Sequence, residues 1–334
     1  MSSRCVRLLL IISCLVAIPF SSPAPLIYRP GEGWTYESAG GGGKWTRTRA
    51  KDQLDVSQAA FDKKDYGLAL KAARRVVRVW PLSDYAPRAQ YLVGRCYEAT
   101  GKDEQAFREY QKVIEKQPKI ANYQEIEQRQ FDIANKYLAG KWFKLWGYIP
   151  IFSSMDKTSD MYEKIVKNGP YSDVAPKAQM NIGAAREKQS NYAMAAKAYE
   201  TAADRYHDRP QIAADALYRQ ALAYNKQAQT AEYDQSTAGQ AISTFTDFIT
   251  LYPNDPRVAK AQKIITTLKT EQARGSFKIA KFYEKYKRWN GALVYYNEVI
   301  ILDPNSPYAG PARQRIDALK KRTQPETKSQ TASQ

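Results

Sequence analysis

One stretch, Tyr91 to Pro118, limits what this chain can become: YLVGRCYEATGKDEQAFREYQKVIEKQP. Val93, Gly94 and Tyr97 fall three and four residues apart, so they share one face of a first helix. Ala106, Tyr110 and Val113 form the answering face of a second. Gly101 breaks the chain between them, and Pro118 ends the unit. Gly94 is small where the second helix has to come close. Paired amphipathic helices are common, so the weight of this pattern rests on recurrence.

It recurs along most of the chain. Ala106, Tyr110 and Pro118 become Ala69, Ala73 and Pro81, then Thr158, Tyr162 and Pro170. They become next Ala195, Tyr199 and His207, then Ala241, Phe245 and Pro253, and last Ala292, Tyr296 and Pro304. The first helices answer with Val56/Ser57/Ala60, Ile133/Ala134/Tyr137, Ile182/Gly183/Arg186, Gln220/Ala221/Tyr224 and Ile279/Ala280/Tyr283. This is the spacing of tetratricopeptide repeats. It predicts an all-α tetratricopeptide-repeat solenoid over 49–320, with about six helix pairs and no β-sheet. A C-terminal capping helix over roughly Ala309 to Lys320 follows, apolar at Ile316 and Leu319. Residues 321–334 read as a disordered tail.

The junctions repeat too, as Pro81-Leu-Ser-Asp-Tyr-Ala-Pro87 and Pro170-Tyr-Ser-Asp-Val-Ala-Pro176. Ser83/Asp84 and Ser172/Asp173 are expected to offer oxygens to free helix-start amides, with Pro87 and Pro176 in the first turn. Three places break the spacing. An insertion at 140–155 lengthens the third unit, Thr230 to Gly239 lengthens the fifth turn, and Val258 to Thr270 adds a helical stretch running towards Tyr286.

Residues 1–24 read as an export signal: Arg4 and Arg7, the apolar run Leu8 to Phe20, then small residues. That run is too short to span a bilayer comfortably. Two processing sites compete. Cleavage after Ala24 is opposed by Pro25; Ile11-Ile12-Ser13-Cys14 resembles a lipobox with Cys14 as the acylated residue, opposed by the short apolar run before it and the apolar Leu15-Val16-Ala17-Ile18 after it. Both place the chain in the cell envelope. Residues 25–48, with Arg29-Pro30-Gly31-Glu32-Gly33-Trp34 and the run Gly40 to Gly43, read as an extended tether. A phosphate-loop reading of that run fails at Ser38 and Trp45.

Lys+Arg outnumber Asp+Glu 51 to 34, a net charge of +17 that favours anionic partners. Two of the three cysteines, Cys5 and Cys14, lie in the leader, which leaves Cys96 as a buried filler and excludes a disulfide within the folded part. His207, the sole histidine, stands where a closing proline belongs. No Cys/His, HExxH or GxSxG arrangement occurs, and the Glu125/Glu127 pair reads as a solvated helix face. The chain reads as a non-enzyme with no cofactor and no metal.

Binding has more to stand on. The fifth position of each first helix is Leu54, Tyr91, Phe131, Met180, Tyr218 and Phe277, all large and apolar, although it lies about 110° from the pair-packing face. Around it stand Lys51, Arg88, Arg95, Lys177, Arg274 and Lys281, with Asp215 the one acid. Such a row suits an extended peptide with aromatic side chains and a carboxylate; the competing reading packs it against the next unit. The insertion sets Trp142, Phe143, Trp146, Tyr148 and Phe152 among lysines, as a membrane or partner contact or as a lid over the third unit.

The run ARGSFKIAKFYEKYKRWNGALVYYNEVI, Ala273 to Ile300, has a long helix, the pair Phe282-Tyr283, a basic turn and an alanine-led second helix. With the Pro-x-Ser-x-Tyr/Val-Ala junctions, it resembles the BamD (YfiO) family of outer-membrane assembly lipoproteins over most of 50–320. Gly275-Ser276 stand where that family usually has a His-Glu pair. The resemblance implies a non-catalytic periplasmic scaffold at the outer membrane, with a BamA-like barrel-insertion protein and unfolded outer-membrane proteins as partners. One alternative is another periplasmic tetratricopeptide adaptor, such as a Tol-Pal cell-division coordinator, which would lack the long helix at Val258 to Tyr286. Nucleic-acid binding is favoured by the charge and opposed by the export signal.

Overall fold

A computed structural model describes residues 26–36, 43–145, 149–152, 154–230 and 235–323. The leader with Cys14 and Ala24, the insertion residues Trp146 and Tyr148, the side chain of Phe152, and the tail beyond Thr323 lie outside the described residues.

Among the described residues thirteen helices form. Paired in order they are α1 (Ala50–Asp62) with α2 (Tyr66–Val79), α3 (Ala86–Ala99) with α4 (Asp103–Lys116), and α5 (Tyr123–Leu138) with α6 (Met155–Asn168). Then come α7 (Ala175–Lys188) with α8 (Tyr192–Arg205), α9 (Pro210–Thr230) with α10 (Gln235–Leu251), and α11 (Val258–Lys285) with α12 (Trp289–Leu302). The last helix is α13 (Ala309–Thr323). The chain divides into two compact units, 1–126 and 127–334, with the boundary inside α5.

The columns read from the sequence form the core. Ala69, Ala106, Thr158, Ala195, Ala241 and Ala292 are fully buried, as are Tyr110, Tyr162, Tyr199 and Phe245. A small residue lets two helices approach, and the ring one turn later fills the space they leave. Two of the buried phenols are satisfied across the pair: Tyr110 donates to Glu98 at 2.5 Å and Tyr296 to Glu284 at 2.7 Å. Between paired helices the turn needs one left-handed residue. Gly101 supplies it freely at φ +70°, but Lys64, Ser190 and Lys287 adopt φ 62°, 57° and 55° at the matching positions. Asp65 and Asn191 then cap the second helices, accepting from Leu68 N and Met194 N.

The junction caps differ from expectation. α3 and α7 begin at Tyr85 and Val174 with no side-chain cap. Ser83 Oγ instead donates to the Trp80 carbonyl, and the tight turn itself serves the first amides, Ala86 N to Ser83 O and Ala175 N to Ser172 O. Pro87 and Pro176 do sit in the first helical turn and remove one further orphan donor.

The expectation of no β-sheet also fails locally. A hairpin of β1 (Leu26–Arg29) and β2 (Gly33–Tyr36) forms where a tether is expected. Gly31 and Gly33, at φ 79° and 72°, make its turn. It is docked within the first unit: Asp84 N donates to Gly31 O at 2.9 Å, and the buried Glu32 carboxylate lies 3.9 Å from Arg29 and 3.7 Å from Arg49. A second hairpin, β3 (Phe143–Leu145) and β4 (Ile149–Phe152), lies in the insertion between α5 and α6.

The fifth unit absorbs part of its extra length by running α9 on to Thr230. The added stretch before the sixth becomes one 28-residue helix, α11. Its first half packs Ala261 and Leu268 into the α9–α10 cores, and its second half packs Ala273 and Ala280 against α12 and α13. Ile316 and Leu319 of α13 are buried in that same last cluster.

Candidate functional site

The row residues sit on successive first helices, and a concavity opens beside them in each unit. In the first unit a groove of about 900 Å³ is lined by Lys51 and Leu54 of α1, Arg88 and Tyr91 of α3, and Lys119 and Ile120 beyond α4. Leu54 is buried, Tyr91 half-buried, and Lys51 and Arg88 are exposed. Tyr91 is fixed from three sides. Its ring lies 5.8 Å from that of Tyr110, its hydroxyl donates to Glu125 at 2.6 Å, and Arg95 donates to it at 3.1 Å. Arg95 also stacks over Phe61 at 5.3 Å and pairs with Glu125 at 3.7 Å. It therefore positions Tyr91 and does not line the groove.

In the second unit a pocket of about 340 Å³ lies on α5, α7 and α9. Helical spacing puts Phe131 and Asn135, Lys177 and Asn181, and Asp215 and Arg219 each four residues apart on one face. Met180 completes the apolar part. Phe131 is held edge-on by Tyr162 at 5.9 Å. Asp215 is fully engaged, accepting from Arg219 at 3.0 Å and from Arg257 at 2.7 Å. Asn135 Oδ1 accepts from the Tyr162 hydroxyl at 2.6 Å and from Asn181 at 3.0 Å. Burial pushes the Tyr162 phenol far above its ordinary value, so it stays a neutral donor.

The remaining row residues serve packing. Tyr218 is buried against Phe245 and Phe248, with Arg257 over its ring at 4.7 Å. Phe277 packs on Tyr296 and Tyr308, and Lys281 lies 5.9 Å above it. Arg274 is paired with Glu271. In the insertion, Phe143 is buried and stacked on Tyr137 at 4.2 Å, with Lys157 across it, while its neighbour Trp142 is 54% exposed.

Glu127 departs from expectation: it is 1% exposed, beside Gly169, so no solvated face includes it. His207 is an exposed loop residue with Nδ1 2.8 Å from Asp204 O. Cys96 is buried and free, and burial raises its thiol to about 11. Among the described residues no group of three or more His, Cys, Asp or Glu is placed to hold a metal, and no helix is long and apolar enough to cross a membrane. Asn135 and Asn181 escape the sequence reading because a search for cations beside the row passes over neutral amides.

The outer membrane lipoprotein family model (YfiO) matches residues 153–302, and a tetratricopeptide repeat model matches 54–119. No curated relative matches significantly. Among solved structures, the C-terminal part of a TPR repeat-containing protein from Cytophaga hutchinsonii is 15% identical, with 79% of this chain and 87% of that one covered and a TM-score of 0.35. A tetratricopeptide repeat protein from Parabacteroides merdae is 14% identical, covering 81% and 98%, with a TM-score of 0.34. MamA from Desulfovibrio magneticus RS-1 is 15% identical, covering 62% and 97%, with a TM-score of 0.32.

Proposed function

We propose that this chain, similar to the outer membrane lipoprotein family over residues 153–302 and to tetratricopeptide repeats over 54–119, is a BamD-like, non-catalytic scaffold of the cell envelope, facing the periplasm at the outer membrane, that holds extended polypeptides during β-barrel assembly. The observation that carries this reading is the pair of concavities built on first helices. Each combines fixed aromatic or aliphatic side chains with exposed cations, Lys51 and Arg88 in one and Lys177 in the other. That chemistry suits unfolded chains rich in aromatic residues and carboxylates. A BamA-like barrel-insertion protein is the proposed stable partner. The long α11 favours this role over that of a Tol-Pal adaptor.

The test uses an unfolded outer-membrane barrel polypeptide, diluted from urea and titrated by fluorescence. Lys51→Glu with Arg88→Glu reverses two exposed charges and should weaken binding about tenfold, more at low salt. Melting should not change. Unaltered affinity at every salt concentration would remove the first groove from the proposal. Recovery of a barrel-insertion protein from crosslinked envelopes tests the partner.

A further inference from the structure

We propose that the pocket on α5, α7 and α9 grips the main chain of an extended polypeptide, through one N–H donor from Asn135 and one carbonyl acceptor from Asn181. This deepens the scaffold role and rests on it.

A carboxamide has two donor hydrogens and one acceptor oxygen. In this pair Asn135 Oδ1 is taken by Tyr162 and by Asn181 Nδ2, and Asn181 Nδ2 also reaches the Tyr162 hydroxyl at 3.2 Å. These contacts orient both amides. They leave Asn135 Nδ2 and Asn181 Oδ1, a donor and an acceptor on touching side chains, without a partner among the described residues. Both residues line the pocket and both are half-buried.

A donor beside an acceptor is what one residue of an extended strand requires, since its own N–H and C=O point to the same edge and must both be met on leaving water. The pocket's one carboxylate does not compete for the peptide N–H, and Lys177 at its edge is exposed. Both carboxylate oxygens of Asp215 are bonded to arginines, one of them Arg219. Phe131, one turn before Asn135, and Met180, next to Asn181, supply apolar wall. Recognition of this kind reads backbone, which every unfolded chain presents, and leaves side-chain identity free.

The probe is a blocked synthetic decapeptide of alternating Tyr and Thr, and a copy in which one central amide is replaced by an ester, which removes a single N–H. The full chain should bind the amide peptide about fivefold more tightly than the ester, the worth of one ordinary hydrogen bond. In Asn181→Leu the two should bind alike, because the acceptor for that N–H is gone; a melting curve checks that the variant is folded. If the wild-type chain binds both peptides equally while Met180→Ala weakens both, the pocket binds polypeptide but not by its main chain, and the inference falls alone. A fivefold preference that persists in Asn181→Leu also overturns it. Failure of the wild-type chain to bind either peptide removes the scaffold reading of this pocket as well.

Discussion

A Cβ atom placed on Gly94 would stand 2.5 Å from Cε1 of Tyr110, whose ring is fully buried. Gly183 and Tyr199 repeat the relationship at 2.4 Å. Neither ring has room to retreat. Gly94→Ala and Gly183→Ala should each lower stability by about 1–3 kcal/mol through overpacking. Gly239 in α10 has nothing within 4 Å of its virtual Cβ, so Gly239→Ala should raise stability by about 0.5–1 kcal/mol. Urea denaturation of the three variants checks both signs.

The left-handed turn residues predict gains. Lys64, Ser190 and Lys287 are exposed at positive φ, where a side chain is strained. Replacing each by Gly should raise stability by about 1 kcal/mol, additively because they lie in different turns. No rise in melting temperature for the triple variant would contradict this.

Because burial lifts the Cys96 thiol to about 11, almost no thiolate exists near pH 8. Iodoacetamide should leave the folded chain unmodified and label it once urea unfolds it. Labelling of the native chain at the rate of a free thiol would be inconsistent with that burial.

Hydrogen bonds from Arg257 hold the Asp255 carboxyl below its ordinary 3.8, against a smaller opposing effect of burial. A depressed folded value contributes stability that is present above the unfolded value and lost as the pH falls through the folded one. Asp255→Asn should therefore be less stable than the parent at pH 7, and the gap should narrow as the pH drops below about 3.8. A gap constant down to pH 2 would refute the linkage.

Two neighbours in the insertion should behave oppositely. Phe143→Ala empties a buried ring site and should cost about 3–5 kcal/mol. Trp142→Ala should leave stability within about 0.5 kcal/mol, because its side chain is largely in water. Thermal melts of both decide it.

These contrasts mark where the sequence is legible. The alanine and aromatic columns are visible because helical periodicity is local: Ala106 and Tyr110 need only their own helix to declare a face. The long α11 is visible because no proline falls between Val258 and Tyr286, and Gly275 alone does not end a helix. The row is different. Whether Tyr218 is groove or core depends on Arg257, which arrives from beyond α10, and whether Tyr91 is steady depends on Glu125. The same holds for the hairpin, whose docking needs Asp84 and Arg49, and for Asn135 and Asn181, which meet across 46 residues. No window of local pattern contains such pairs.

In α11, a helix about 42 Å long at 1.5 Å per residue, one continuous backbone ladder is a member of two cores. Repeat arrays ordinarily fray one unit at a time from their ends. Here α12 and α13 cannot come away without uncovering Ala273 and Ala280, and the turn that holds those residues continues into the one that holds Leu268 against α10. The last two helix pairs should therefore open as a single foldon. Amide hydrogen exchange would show it: α9 to α13 should share one opening free energy and one denaturant slope, where a simple stack would grade smoothly toward its terminus.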